Sequence, residues 1–269
     1  MSPIFPSWDF SHWHAVDDRV RGGSSISHLE PYTLSPSIAQ SIDDEKGIGA
    51  RFHGTLDITT LGGAGFASQR YMFGPSPSNL PRHKYSGIIL DVLCDPAIPT
   101  LASNHPSNFT LVLQTTISSK VPQKPRTPSD PQAARLAYEA DFCIPTDLDF
   151  DKSHRIHLGF DDFIATYRGR QVDKSDPRWQ PLHSEQIYEL SLMCRSGFGK
   201  QSGEFGVVVA SVLGWKIEGD ARDLETQNHG FTLLGRAWNW IVSFVLWAGR
   251  IGGLYTGEGA ITLQDKVEA

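Results

Sequence analysis

The sequence predicts an all-β sandwich of two packed sheets, followed by a hydrophobic helix near the C-terminus. Three observations predict it. Short apolar runs of strand length, rich in β-branched and aromatic residues, recur between clusters of Gly, Pro, Asn and Asp. Helical periodicity is nearly absent before residue 230. The β and α units do not alternate, as a parallel sheet would require. With 269 residues, 39% hydrophobic and 20% charged, the chain suits one generous domain with appendages. The sandwich is expected over 8–220 and the helical tail over 230–255.

Taken in order, strands are expected at ARFHGTLDI (Ala50 to Ile58), GFASQRYMF (Gly65 to Phe73), SGIILDVLC (Ser86 to Cys94) and NFTLVLQTT (Asn108 to Thr116). They continue at AYEADFCI (Ala137 to Ile144), HRIHLGF (His154 to Phe160), QIYELSLMC (Gln186 to Cys194) and GEFGVVVASVLGW (Gly203 to Trp215). GFDDFIATY admits a single helical turn, with Asp161 and Asp162 as capping residues ahead of Phe163. Two proline-rich stretches, Asp95 to Asn108 and Ser118 to Gln132, read as exposed loops because proline cannot serve a sheet interior.

The glycines of LGGAGFASQRYMF, Leu61 to Phe73, raise the question of a phosphate-binding loop. A dinucleotide fingerprint needs a third glycine where Ser68 stands, then a helix; the following QRYMFGPSPSNLP cannot be a long one. As a strand, the stretch puts Phe66, Ser68, Arg70 and Met72 on one face and Ala67, Gln69, Tyr71 and Phe73 on the other. Arg70 among apolar neighbours needs an acidic partner, for which Asp17 and Asp18 are the candidates, Asp18 foremost.

In the tail, Arg236, Asn239, Ser243 and Arg250 share one helical face, while apolar residues cover much of the rest. Arg236 and Asn239 interrupt a run too short to span a bilayer. The helix either docks on its own sandwich or lies on a membrane or partner through Trp238, Trp240 and Trp247.

A net charge of -6 argues against nucleic acid, which demands a basic face. Cys94, Cys143 and Cys194 form no Cys-x-x-Cys pair and read as buried thiols in a reducing compartment. The opening residues carry neither a secretory signal nor an arginine-rich transit helix, which keeps a cytoplasmic location as an alternative. No Gly-x-Ser-x-Gly elbow occurs. On a strand His12 and His14 in HWH point the same way, half of a metal site to which Asp17 or Asp18 would add a third ligand. The stretch lies at a terminus, however, and no metal, catalytic residue or cofactor is expected. Tyr167, Arg168, Arg170 and Trp179 are a candidate sugar-binding platform, or the decoration of a loop.

WHAVDDRVRGGSS, ARFHGTLD and GGAGFASQR follow one another, and YSGIILDV, HLGFDDFIATYRGRQV, LHSEQIYELSLM and SGEFGVVVASVLGW come later. In this order they resemble the complex I intermediate-associated protein family, from about Trp13 to Trp215. The resemblance is carried by Asp17, Asp18, Gly22, Gly23, Ser24, Phe52, Gly54, Gly65, Phe66, Ala67, Ser68 and Arg70. It implies a galactose-binding-like jelly-roll sandwich and a non-enzymatic assembly chaperone for respiratory complex I. The implied partners are complex I assembly intermediates at the mitochondrial inner membrane, on its matrix side. The alternatives are a carbohydrate- or small-ligand-binding module, or a paralogue with a non-mitochondrial role.

Overall fold

Thirteen strands form among the described residues of this computed structural model, and every pairing is antiparallel. The described residues are 2–4, 8–42, 46–98, 105–116, 135–144 and 152–216. The tail with Trp238, Trp240 and Trp247 and the proline-rich stretch 118–132 lie outside them.

The first sheet contains β3 (Ile26–Thr33), β4 (Ile48–Leu56), β13 (Gly203–Lys216), β6 (Tyr85–Cys94) and β9 (His154–Gly159), in that spatial order. The short β1 (Ser2–Pro3) joins it on the part of β13 beyond the reach of β4. The second sheet runs β11 (Arg170–Gln171), β10 (Ile164–Tyr167), β8 (Leu136–Cys143), β7 (Asn108–Gln114), β12 (Glu189–Arg195), β5 (Phe66–Met72) and β2 (Trp13–Ala15). Their inner faces meet in one core, where Phe52 and Phe205 of the first sheet pack against Phe109 of the second with ring centroids 6.2 Å apart. Burial of these alternating side chains is what drives the two layers together.

Every strand expected from the sequence is present, and the sandwich is the architecture. The glycine question resolves as a strand: β5 starts at Phe66, where a nucleotide fold requires a helix. Ala67 and Tyr71 face the core, and Arg70 lies on the outer face. The helical turn expected in GFDDFIATY is corrected to a tight turn into β10. There Asp162 accepts the Gly159 N–H at 2.8 Å while its own N–H donates to the Gly159 carbonyl at 3.0 Å. Four short or interrupted strands (β1, β2, β10, β11) and the eight-residue β3 were not expected. The one α-helix among the described residues, α1 (Pro36–Ser41), sets Ile38 on an outer-face cluster with Leu34, Ile42, Leu93, Val208 and Ala210.

Candidate functional site

Part of the motif meets where two adjacent carboxylates, Asp17 and Asp18, join the sheets. Asp18 opens a 3-10 turn, Asp18–Arg21, which Gly22 closes with φ +84°. Asp18 accepts the Ser25 N–H at 3.0 Å, the Ser25 hydroxyl at 2.7 Å and the Phe66 N–H at 3.2 Å. Asp17 accepts the Ser27 hydroxyl at 2.6 Å, the Ser27 N–H at 3.2 Å and the Ser68 N–H at 2.9 Å. Each side chain therefore bridges a backbone donor beside or within β3 to one in β5, across the two sheets. Both are buried, at 6% and 1% exposure, and a carboxylate is the acceptor that can take three such donors at once.

The glycines make room for this. A Cβ on Gly23 would strike the Asp18 carboxylate, one on Gly65 the Asp57 carbonyl and one on Gly54 the Ile26 carbonyl. Ser24 pairs with Thr60 at 2.5 Å, Phe52 fills the core, and Ala67 of β5 faces the core with no exposure. Asp17, Asp18, Gly23, Gly65, Phe66 and Ser68 thus meet here, while Phe52 lies in the core between the sheets.

Arg70 departs from expectation. Its Nε lies 3.3 Å from Glu189, while Asp17 and Asp18 are engaged with backbone and serine donors, so the Arg70–Asp18 pair is replaced by Arg70–Glu189. The reason is the pleat: Arg70 projects from the outer face of the second sheet, where Glu189 of the neighbouring β12 also projects. Glu189 is 2% exposed and also receives a fork of two 2.8 Å bonds from Arg135. Farther along this face, Arg195 meets Glu139 and Asp141 at 2.6 Å each, with Thr166 and Thr110 completing the two carboxylates.

The candidate platform is a hairpin. Arg168 at φ +56° and Gly169 at φ +73° make the two-residue turn between β10 and β11. Tyr167 and Trp179 both pack on the core edge. The Arg178 and Arg168 guanidinium carbons sit 4.8 and 5.7 Å from the Tyr167 ring centroid, and the Lys174 ammonium 5.9 Å from that of Trp179. Arg178 is tied to Asp176 at 2.6 Å, and that contact holds the Asp176 carboxyl down at about 2. The rings thus carry the chain's own cations; Arg170 pairs backbone with Tyr167.

A groove of about 340 Å³ lies on the outer face of the first sheet, lined by Ile26, His28, Arg51, His53, Thr55 and Glu204 among others. The His28 and His53 rings stack at 5.4 Å, and Arg51 bridges Glu30 and Asp95 at 2.8 Å each. The His53 Nε2 is 3.1 Å from Glu30, at an angle that makes no hydrogen bond. Burial first, then the Arg51 charge, push the His53 imidazole below its ordinary value. His12 stands in a 3-10 turn against the Tyr71 ring, and His14 lies opposite Arg70 in the ladder. Among the described residues no three His, Cys, Asp or Glu side chains form a metal-binding group, and no helix is long and apolar enough to cross a membrane.

The cysteines form no disulfide; Cys94 and Cys194 are buried as expected, whereas Cys143 is exposed near the end of β8. Burial pushes the Cys194 thiol far up, which makes it inert. The sequence reading missed Ser25, Ser27 and Glu189. Serines spaced by two after GG, and a lone acid inside the apolar run YELSLM, were the available signals.

The family profile described as Complex I intermediate-associated protein 30 (CIA30) matches residues 5–209. An uncharacterized protein of Schizosaccharomyces pombe is 34% identical over 206 residues, covering 77% of this chain and 78% of that protein. Among solved structures, a family 11 carbohydrate-binding module of Clostridium thermocellum in complex with a mixed-linked tetrasaccharide is similar, at 12% identity and a TM-score of 0.43, over 77% of this chain and 91% of that one. The family 11 module of the cellulosomal cellulase Lic26A-Cel5E of the same organism is 13% identical at a TM-score of 0.45, over 80% and 94%.

Proposed function

The chain belongs to the complex I intermediate-associated protein 30 family, and from that membership we propose a non-enzymatic assembly chaperone that holds protein intermediates of respiratory complex I. The observation that carries this reading is the extent of the match: residues 5–209 take in nearly the whole sandwich, so the shared part is the folded body itself. The disposition of polar groups supports it. The buried carboxylates Asp17, Asp18, Asp91, Asp95, Glu139 and Glu189 are all engaged in framework hydrogen bonds or ion pairs. A catalytic acid or base is instead held ready for a substrate proton.

The proposed location is the matrix side of the mitochondrial inner membrane, with protein intermediates as partners and Trp238, Trp240 and Trp247 of the tail as the membrane or partner contact. Loss of the protein in a cell that assembles complex I should leave subassemblies in place of the mature enzyme on native gels. The tagged full-length chain should co-purify with those subassemblies. Normal complex I in cells lacking the protein would overturn the reading. For the tail, a chain ending at Asn228 should fold as the parent does and lose membrane or partner association; unchanged association would sink that part.

A further inference from the structure

Phe198 is 89% exposed, the most exposed large apolar side chain among the described residues. Its φ is +60°, in the left-handed region that bulky side chains rarely adopt. Gly197 and Gly199 flank it at φ +55° and +84°. Strain of this kind persists only where the surroundings over-determine the backbone.

The surroundings do so. Ser196 donates its N–H to the Gly65 carbonyl at 2.9 Å, accepts the Gly65 N–H on its hydroxyl at 3.0 Å, and donates that hydroxyl to the Gly63 carbonyl at 2.9 Å. Gln201 accepts the Asn108 N–H at 3.1 Å and donates to the carbonyls of Asn108 at 2.8 Å and Arg195 at 2.7 Å. The loop between β12 and β13 is fastened at both ends, with Phe198 held outward between the fastenings.

The turn Asp18–Arg21 sits at the same end, anchored by Asp18 on Phe66, and Arg21 lies 5.5 Å over the Phe66 ring. It brings Val20, 65% exposed, together with Arg19 and Arg21. Lys200 belongs to the Phe198 loop. Among the described residues, Arg19, Arg21 and Lys200 take part in none of the ion pairs that engage Arg51, Arg70, Arg82, Arg135, Arg155, Arg178 and Arg195. On a chain of net charge -6, Arg19, Arg21 and Lys200 are exposed at this end, while its acids Asp17, Asp18 and Asp57 are turned onto backbone and hydroxyl donors.

We infer that Phe198 is the anchor of a partner-binding surface, entering an apolar pocket on a protein whose acidic rim faces Arg19, Arg21 and Lys200; this rests on the protein-binding reading above. A protein pocket fits better than a bilayer. A fluid apolar phase accepts a phenylalanine in any orientation and returns nothing for a strained, fixed backbone. A shaped pocket gains from it, because an anchor held in place loses less freedom on binding. One phenylalanine and one valine also give far less apolar area than an interfacial helix.

The test uses the tagged full-length chain and Phe198→Gly. Glycine adopts φ +60° without strain, so the variant should melt at the parent temperature or higher. Its capture of complex I subassemblies should fall about thirtyfold, as loss of a central aromatic anchor does. Arg19→Glu with Arg21→Glu should weaken capture at low salt and flatten its salt dependence. A photo-crosslinking phenylalanine analogue at position 198 should label subunit segments in which acidic residues flank apolar ones. Labelling confined to lipid would overturn the inference, as would Phe198→Gly capturing as much as the parent; the family role would then stand without this surface. A parent chain that captures no subassembly sinks both.

Discussion

Asp18 and Arg70 invert the ranking that the sequence suggests for them. Arg70 reads as the buried charge whose loss leaves a partner stranded, but Glu189 keeps the forked Arg135 when Arg70 is removed. With 26% of its own side chain exposed, Arg70→Ala should cost only about 1 kcal/mol. Asp18→Ala strands the N–H groups of Ser25 and Phe66 in a buried place, and the expected loss is about 3 kcal/mol. Urea melts of the two variants check the order; equal losses would mean that the carboxylate bridge is not the joint between the sheets. The motif was legible as a string because its residue types are unusual together. Its pairing was not, since Asp18 reaches a residue 48 positions away, a distance that only the folded topology closes.

At the scale of elements, β3 shows why one strand escaped the reading. Pro31 sits in the middle of ISHLEPYT, and proline inside an apolar run argues against a central strand. The argument is sound, and β3 is an edge. Ser27 turns its N–H away from β4 toward Asp17, so residues of the same parity, Pro31 included, face the open side. Proline removes one outward donor there, and Asp17 and Asp18 occupy those of Ser27 and Ser25. The edge is thus blunted by the same carboxylates that bind the sheets, as natural edges are blunted against foreign strands. Asp17→Ala should therefore raise self-association as well as lower stability, and light scattering at matched melting margins separates the two. Gly54→Ala tests the close approach of β3 and β4. Its new methyl meets the Ile26 carbonyl, the strands must part, and the melting curve should report a loss of about 2–3 kcal/mol. A variant as stable as the parent would show that β3 yields freely.

For the whole molecule, the sandwich was legible because β-branched and aromatic runs of strand length leave few alternatives, whereas the groove on the first sheet was not. His28 and His53 are 25 positions apart in sequence order and meet only because β3 and β4 pair in register. That placement has a consequence for pH. His53, His105 and His157 all lie below their ordinary value of 6.5, with burial the leading cause in each. A buried imidazole is cheaper neutral, so between the folded values and 6.5 the unfolded chain binds more protons than the folded one. Stability from these groups is complete above 6.5 and drains away as pH falls through it toward the folded values. Carboxylates lowered by their partners, such as Glu30 beside Arg51, lose their contribution only in more acid solution, below their ordinary 4.5. The midpoint of thermal unfolding should accordingly drop in two stages on acidification, the first beginning near neutrality. His53→Gln combined with His157→Gln removes two of the three titrations and should flatten the first stage while leaving the second. A first stage that is unchanged in the double variant would place the proton uptake elsewhere in the chain.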